Sequence, residues 1–289
     1  MTEIERRIAD LRAELRSLAG DGSSVVPTDL LRRQDIELTY SSNAIEGNTL
    51  THSEAAELIE HGIVAGGKTL KEHHEVSDHY DALQWVRTRA AERLPVDEDV
   101  VLEIHRRTML RSRPDIVGQY ARFRRGIAGS PVVMPNPAKV PALMNGFGTH
   151  LANADESPKA AFDAHYRLVT IQPFDDGNGR TARLLTNLML LKGGYVPVSI
   201  GTKERREYLD TLQEAQLAQD DRAPAFQAFM HLRLEAALRD HVAELGHGRQ
   251  HGAVATPSTE KGDREDKPRR AGPTAAQAAS LAKSRGQGF

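Results

Sequence analysis

Along most of this chain apolar residues recur three and four positions apart and hardly ever two apart, a pattern that favours packed amphipathic helices and leaves little for sheet. Ile4, Ile8, Leu11, Leu15 and Leu18 set the rhythm at the start. Few aromatic residues beside abundant Ala, Leu, Glu and Arg agree with an all-α fold, and 289 residues suffice to bury a substantial core. A second helix carries Leu30, Leu31, Ile36 and Leu38 to about Glu46, where Gly47 and Asn48 stop it. Thr51 and Glu54 form a capping box for a third, ending near Gly62. Further helices are expected over 70–92, 98–110, 141–153, 158–171, 180–192, 203–218 and 222–245.

Two stretches break the pattern. Gly126, Gly129, Pro131, Pro135, Pro137 and Pro141 forbid a helix, while Ile127, Val132 and Val133 suit short extended pieces, so a loop or small β-hairpin is expected over 126–137. After Leu245 the apolar period fades into Gly, Pro, Ser and charged residues, and 246–289 reads as a disordered tail with a marginal helix at 274–283. The organisation expected is an N-terminal helical region over 1–37, a main domain over 38–245 and the tail.

Charge and cysteine content narrow the function classes. The net charge is −2, but the segment from Gly246 to Phe289 holds eight Lys or Arg against four Asp or Glu, so the tail is +4 and the rest −6. No global basic excess points to nucleic acid, and Lys267, Arg269 and Arg270 read best as a solubilising cluster. Without cysteine there is no disulfide, thiolate metal site or cysteine nucleophile. The charged start and the lack of an apolar run of roughly 18 residues argue against a secretory signal or membrane span, so a cytoplasmic protein is expected.

The segment Ile171-Gln172-Pro173-Phe174-Asp175-Asp176-Gly177-Asn178-Gly179-Arg180-Thr181-Ala182-Arg183 carries the chemistry. It joins two helices and lies at the N-terminus of the second. Backbone N–H groups around Gly177, Asn178 and Gly179, added to the positive helix end, make an anion nest suited to phosphate. Arg180 and Arg183 sit in the first turn, where the dipole disfavours cations, so an anionic partner is expected. Asp176 could hold Mg2+, which prefers one or two carboxylates plus phosphate oxygens and water.

These residues resemble the motif of the Fic family, His-x-Phe-x-(Asp/Glu)-Gly-Asn-Gly-Arg-x-x-Arg, at every specified position but the first, where Gln172 stands. The similarity extends from about Leu38 to Met230. It implies a Fic-like helical domain that transfers AMP from ATP to a Ser, Thr or Tyr hydroxyl of a protein target. By the same resemblance Asp176 binds Mg2+, Gly177, Asn178 and Gly179 cradle the α- and β-phosphates, Arg180 supports them, and Arg183 meets the γ-phosphate. The flap would line a target segment along Val132, Val133 and Met134 by strand-like pairing. Arg205, Tyr208 and Leu212 resemble the adenine-side segment, with Gln216 where relatives often carry Asn. A homodimer stays open, and neither nucleic acid nor a membrane is an expected partner.

Ser42-Asn43-Ala44-Ile45-Glu46-Gly47 matches the family's inhibitory pattern, (Ser/Thr)-x-x-x-Glu-(Gly/Asn), within a helix at about 38–47. Independently, a Glu in the last turn of a helix opposes the macrodipole and calls for a cation, for which Arg183 is the candidate. Paired with Glu46, Arg183 could not receive a γ-phosphate. His73, His74, Glu75, Asp78 and His79 look metal-like, with His74 and Asp78 sharing a helix face at i, i+4, yet a solvated polar face is expected.

Gln172 is the departure that matters. In the family the histidine takes the target hydroxyl's proton, a step glutamine cannot perform. His165, nearly two turns upstream, is a poor substitute. Three readings remain open: an impaired AMP transferase, an ATP-binding pseudoenzyme that signals by occupancy, and a de-AMPylase in which Glu46 positions water.

Overall fold

The computed structural model describes residues 2–19, 28–92, 94–123 and 131–252, with side chains to 246. The chain divides into Met1–Gln250 and His251–Phe289, and the helical fold belongs to the first unit. The expected tail lies almost wholly outside the described residues, as does its helix at 274–283.

Among the described residues ten α-helices succeed one another: α1 (Glu3–Ala19), α2 (Thr28–Ile45), α3 (His52–His61), α4 (Leu70–Ala91), α5 (Glu98–Met109), α6 (Val140–Ala152), α7 (Pro158–Ile171), α8 (Asn178–Lys192), α9 (Arg205–Ala218) and α10 (Pro224–Gly252). No strand occurs among the described residues; a lone antiparallel bridge joins Tyr120 to Phe174. The expected hairpin over 126–137 falls partly outside the described residues, and its remainder is irregular up to a 3-10 turn at Pro137–Lys139.

The helix ends follow from their caps. Thr51 accepts the Glu54 N–H while the Glu54 carboxylate accepts the Thr51 N–H, and Thr69 and Glu72 repeat the arrangement on α4. Each such box supplies two otherwise unpaired groups with partners. α10 runs past its expected end at Leu245. Gly246 and Gly248 each cost a helix roughly 1 kcal/mol relative to Ala, too little to stop one whose neighbouring residues are ordinary helix formers.

α8 is the central helix, buried on all sides from Asn178 to Leu190. α7, α4 and α5 pack around it, α2 lies on α4, and α6 covers α5 and α7. Leu184, Leu185 and Leu188 meet Leu83, Val86, Ile104, Phe162 and Leu168 in one continuous core, and Ile8 brings α1 onto it. Because α8 has no solvated face, its polar residues must find partners inside the protein.

α4 contradicts the expected solvated face. His73, Asp78 and His79 are buried. His73 Nδ1 lies 2.7 Å from the Thr69 carbonyl, and Nε2 accepts the Ala65 N–H at 3.0 Å. Asp78 accepts the N–H groups of Arg111 and Ser112 at 2.9 and 2.8 Å and pairs with the Arg111 guanidinium at 3.1 Å. These residues tie loops to α4, and a helical wheel cannot foresee that because the partners come from elsewhere in the chain. Asp78→Ala strands two backbone donors and is expected to destabilise the fold by about 3 kcal/mol, read from urea unfolding; Asp78→Asn, which still accepts a hydrogen bond, should lose less.

Candidate nucleotide site at the N-terminus of α8

The loop between α7 and α8 is pinned from several directions. α7 ends at Gln172, which adopts the left-handed conformation (φ 51°, ψ 56°) and donates its N–H to Leu168 at 2.9 Å. The Pro173 carbonyl accepts the Ala121 N–H at 2.8 Å. Asn178 turns its amide back on the loop, accepting the Phe174 N–H at 2.9 Å and donating to the Phe174 carbonyl at 2.8 Å. The buried Phe174 ring stacks on His105 at 3.7 Å between centroids.

His105 fixes the next residue. Its Nδ1 accepts the Gly118 N–H at 3.1 Å, so Nε2 carries the proton and donates to the Asp176 carbonyl at 3.1 Å. Burial holds its pKa down at about 4, which keeps the ring neutral. Gly177 then turns the chain into α8 with φ 80°, where a Cβ would also strike Met109.

The first N–H groups of α8 have no partner within the helix, and no side chain caps them. Glu46 is set against this end: a Cβ on Gly179 would collide with its carboxylate. Glu46 Oε1 lies 2.7 Å from Arg183 Nη2, whose guanidinium also donates through Nε to Ser42 Oγ and through Nη2 to the Ser42 carbonyl, both at 2.9 Å. Arg205 completes the junction by donating to the Ile45 carbonyl at 2.7 Å. Two arginines from α8 and α9 thus serve the C-terminal end of α2, which has no basic residue of its own. Burial disfavours the Arg183 charge, but Glu46 and Tyr208 more than offset it and its pKa stays above the usual arginine value.

Arg180 does not join Arg183. It is turned away behind the loop, 2% exposed, with Asp176 at 3.1 Å and Glu75 at 3.5 Å. Asp176 is one-third exposed; its Oδ1 accepts the Gly177 N–H at 2.6 Å and the Arg180 contact, while among the described residues Oδ2 has Arg113 at 3.6 Å. Burial pushes its pKa up, yet Arg180, the Gly177 N–H, Lys71 and Arg113 together outweigh burial and hold it below the ordinary aspartate value. An ionised, one-third-exposed carboxylate on a cavity wall fits a hard divalent cation that completes its shell from phosphate and water. Among the described residues no cluster of three or more His, Asp or Glu could form an all-protein metal cage.

Two cavities meet here. One, about 380 Å³, is walled by Val169, Tyr208, Leu209, Leu212 and Gln216. The other, about 170 Å³, is lined by Met134, Asp175, Asp176, Gly177 and Asn178. Glu46, Gln172 and Gly179 belong to both and form the partition between them. The Tyr208 hydroxyl is bonded to His165 at 2.8 Å and also lies beside the Arg183 guanidinium. Gln216 spends its amide N–H groups on Val169 and Thr170 at 3.3 Å. Of the expected flap residues, Met134 borders the smaller chamber, Val133 is 89% exposed and Val132 lies beside it in the irregular segment. Gly47 comes after Glu46 with φ 96° and turns the chain away.

His105 and Glu75 were not legible as site residues: one is an isolated histidine in a helical pattern, the other part of the supposed polar face. His165 is excluded as a proton acceptor. It is fully buried; Thr186, whose hydroxyl donates to Ala182, accepts from Nδ1 at 2.9 Å, so Nε2 is the acceptor of the Tyr208 O–H.

A Fic/DOC family model matches residues 95–190. The "Protein adenylyltransferase Fic" of Nematostella vectensis is 37% identical over 183 residues, covering 61% of this chain and 42% of that protein. The protein of the same name in Drosophila willistoni is 34% identical over 220 residues, covering 73% and 43%. Among solved structures, Fic-1 (residues 134–508) from C. elegans superposes with a TM-score of 0.73 at 30% identity, covering 85% of this chain and 73% of that one. A Fic-domain-containing signaling protein from Bacteroides thetaiotaomicron gives 0.74 at 26% identity, covering 83% and 97%. The chain belongs to the Fic/DOC family. It spans less than half the length of these two curated relatives, 42% and 43%. No helix among the described residues is long and apolar enough to cross a membrane.

The buried His165 makes stability depend on pH. Burial lowers its pKa from 6.5 to about 3 in the folded protein, so the unfolded chain binds a proton that the folded one refuses. Stability is therefore fully present above 6.5 and falls as pH drops below it, by about 1.4 kcal/mol per pH unit for this group. His165→Gln is expected to flatten the slope of unfolding free energy between about pH 6 and 4.5 by roughly one proton; an unchanged slope would place the titration elsewhere.

Proposed function

We propose that this chain is a Fic-type protein adenylyltransferase, held off by Glu46 and impaired in its chemical step by Gln172. The observation that carries the reading is the position of Glu46 in the partition, paired with Arg183 and set against the open N-terminus of α8. A carboxylate there occupies the place that the helix end and the arginine would offer to a polyphosphate. Relatives named protein adenylyltransferase support AMP transfer at the level of the family.

On this reading the larger chamber takes the nucleoside of ATP and the smaller one its phosphates. The N–H groups at the start of α8 receive the α- and β-phosphates, and Arg183 receives the γ-phosphate once Glu46 withdraws. Asp176 would hold Mg2+, which supplies neutralisation of phosphate charge. A hydroxyl of the target, aligned along 132–134, attacks the α-phosphorus; the bond to the bridging oxygen breaks and pyrophosphate leaves. The hydroxyl proton must be accepted by another base. Gln172 offers only hydrogen bonds, and both His165 nitrogens are occupied. A missing general base costs about 10² to 10⁴ in rate, and that loss also favours a second reading, an ATP-binding protein that signals by occupancy.

The two departures are separable by mutation. Gln172→His restores the base but leaves Glu46 in place; Glu46→Gly frees Arg183 but leaves no base. With α-labelled ATP, wild type and both single variants are expected to stay at background, and the double variant to label itself or a target with AMP. Strong labelling by wild type would show that Gln172 is no lesion. A silent double variant that still binds ATP would favour the occupancy reading.

A further inference from the structure

Arg180 is the buried charge that the proposed reaction leaves without a task. It lines neither chamber, and among the described residues its Nε and Nη1 have no hydrogen-bond partner, Nη1 facing Glu75 as an ion pair at 3.5 Å. Its two anionic neighbours lie on different elements, Asp176 in the loop and Glu75 on α4. Glu75 is itself fixed, accepting from Asn48 Nδ2 at 3.0 Å with Lys71 at 3.7 Å.

We propose that Glu75 is a positioning residue, which shares the Arg180 guanidinium with Asp176 and thereby keeps one Asp176 oxygen available to a divalent cation. The proposal rests on the nucleotide-site reading and adds a residue to it. A guanidinium buried with a single carboxylate favours a bidentate pair that engages both oxygens. With Glu75 opposite, Arg180 meets Asp176 through Nη2 and Oδ1 alone, at 3.1 Å, and among the described residues Oδ2 keeps only the long contact to Arg113. Glu75 also offsets the positive field of Arg180, Arg113 and Lys71, which would otherwise repel a cation from Asp176.

The readout is the gain in ADP affinity that Mg2+ confers, measured by calorimetry as the ratio of Kd in EDTA to Kd in Mg2+. ADP carries no γ-phosphate to compete with Glu46. Glu75→Gln is expected to cut this gain by about tenfold while leaving the Kd in EDTA within roughly twofold of wild type. Glu75→Asp, which keeps the charge but withdraws it by one methylene, should lose about threefold and decides the matter if the glutamine variant fails to fold. A wild-type gain in either folded variant overturns the proposal. An equal loss with and without Mg2+ also overturns it, since that marks a merely structural role. Asp176→Ala is the control for the underlying site: if it keeps the full gain, or if wild type binds no ADP, the site reading fails and the proposal with it.

Discussion

Two guanidinium groups buried in the first two turns of a central helix govern much of this structure. Arg180 and Arg183 lie at the positive end of α8, where the helix dipole disfavours them, and both are at most 7% exposed. A buried unpaired charge costs several kcal/mol, so each must recruit an anion. The surrounding elements supply one set apiece: Asp176 and Glu75 for Arg180, Glu46 and the Ser42 oxygens for Arg183. The loop, α2 and α4 are thereby bound to α8 by charge as well as by apolar contact.

Glu46 sits at a junction of two opposed dipoles. It lies just beyond the C-terminal end of α2, which repels a carboxylate, and against the N-terminal end of α8, which attracts one. Arg205 relieves the first by capping the Ile45 carbonyl, and Arg183 strengthens the second. Because the Glu46 side chain is 39% exposed, solvent screens its pair with Arg183, and exchanging it for another anion costs about 1 to 2 kcal/mol rather than the full amount of a buried pair. That is within the reach of a polyphosphate bound by several N–H groups. On the proposed reading the contact is a bias that a ligand can overcome.

What the sequence made legible was whatever local rules govern. The helices emerged from apolar spacing and the α3 start from its capping box, whereas the Glu46–Arg183 pair came from the resemblance to the family's inhibitory pattern, the dipole argument asking only for some cation near Glu46. Hidden from it were polar groups whose partners are distant in the chain. Asp78 looked solvated because its partners, the N–H groups of Arg111 and Ser112, lie in another segment. Arg180 looked like a companion of Arg183, but residues one turn apart diverge when different elements pull them. The Asn178 side chain is spent on Phe174, which leaves its backbone N–H for the expected phosphate cradle. Spacing reports which face is apolar; it cannot report which buried donor meets which acceptor.

The same distinction bears on Gln172. Its left-handed backbone is imposed from outside the residue: Pro173 disfavours the right-handed helical region for the residue before it, and Ala121, His105 and Asn178 hold the loop from Pro173 onward. None of these contacts uses the side chain at 172. An imidazole there would face the same two chambers that the amide faces now, so the loop does not need the histidine in order to fold, nor does the start of α8 need it in order to attract an anion. On the proposed reading, binding and chemistry are structurally separable here, and a change at this single position removes a proton acceptor while leaving the start of α8 unaltered.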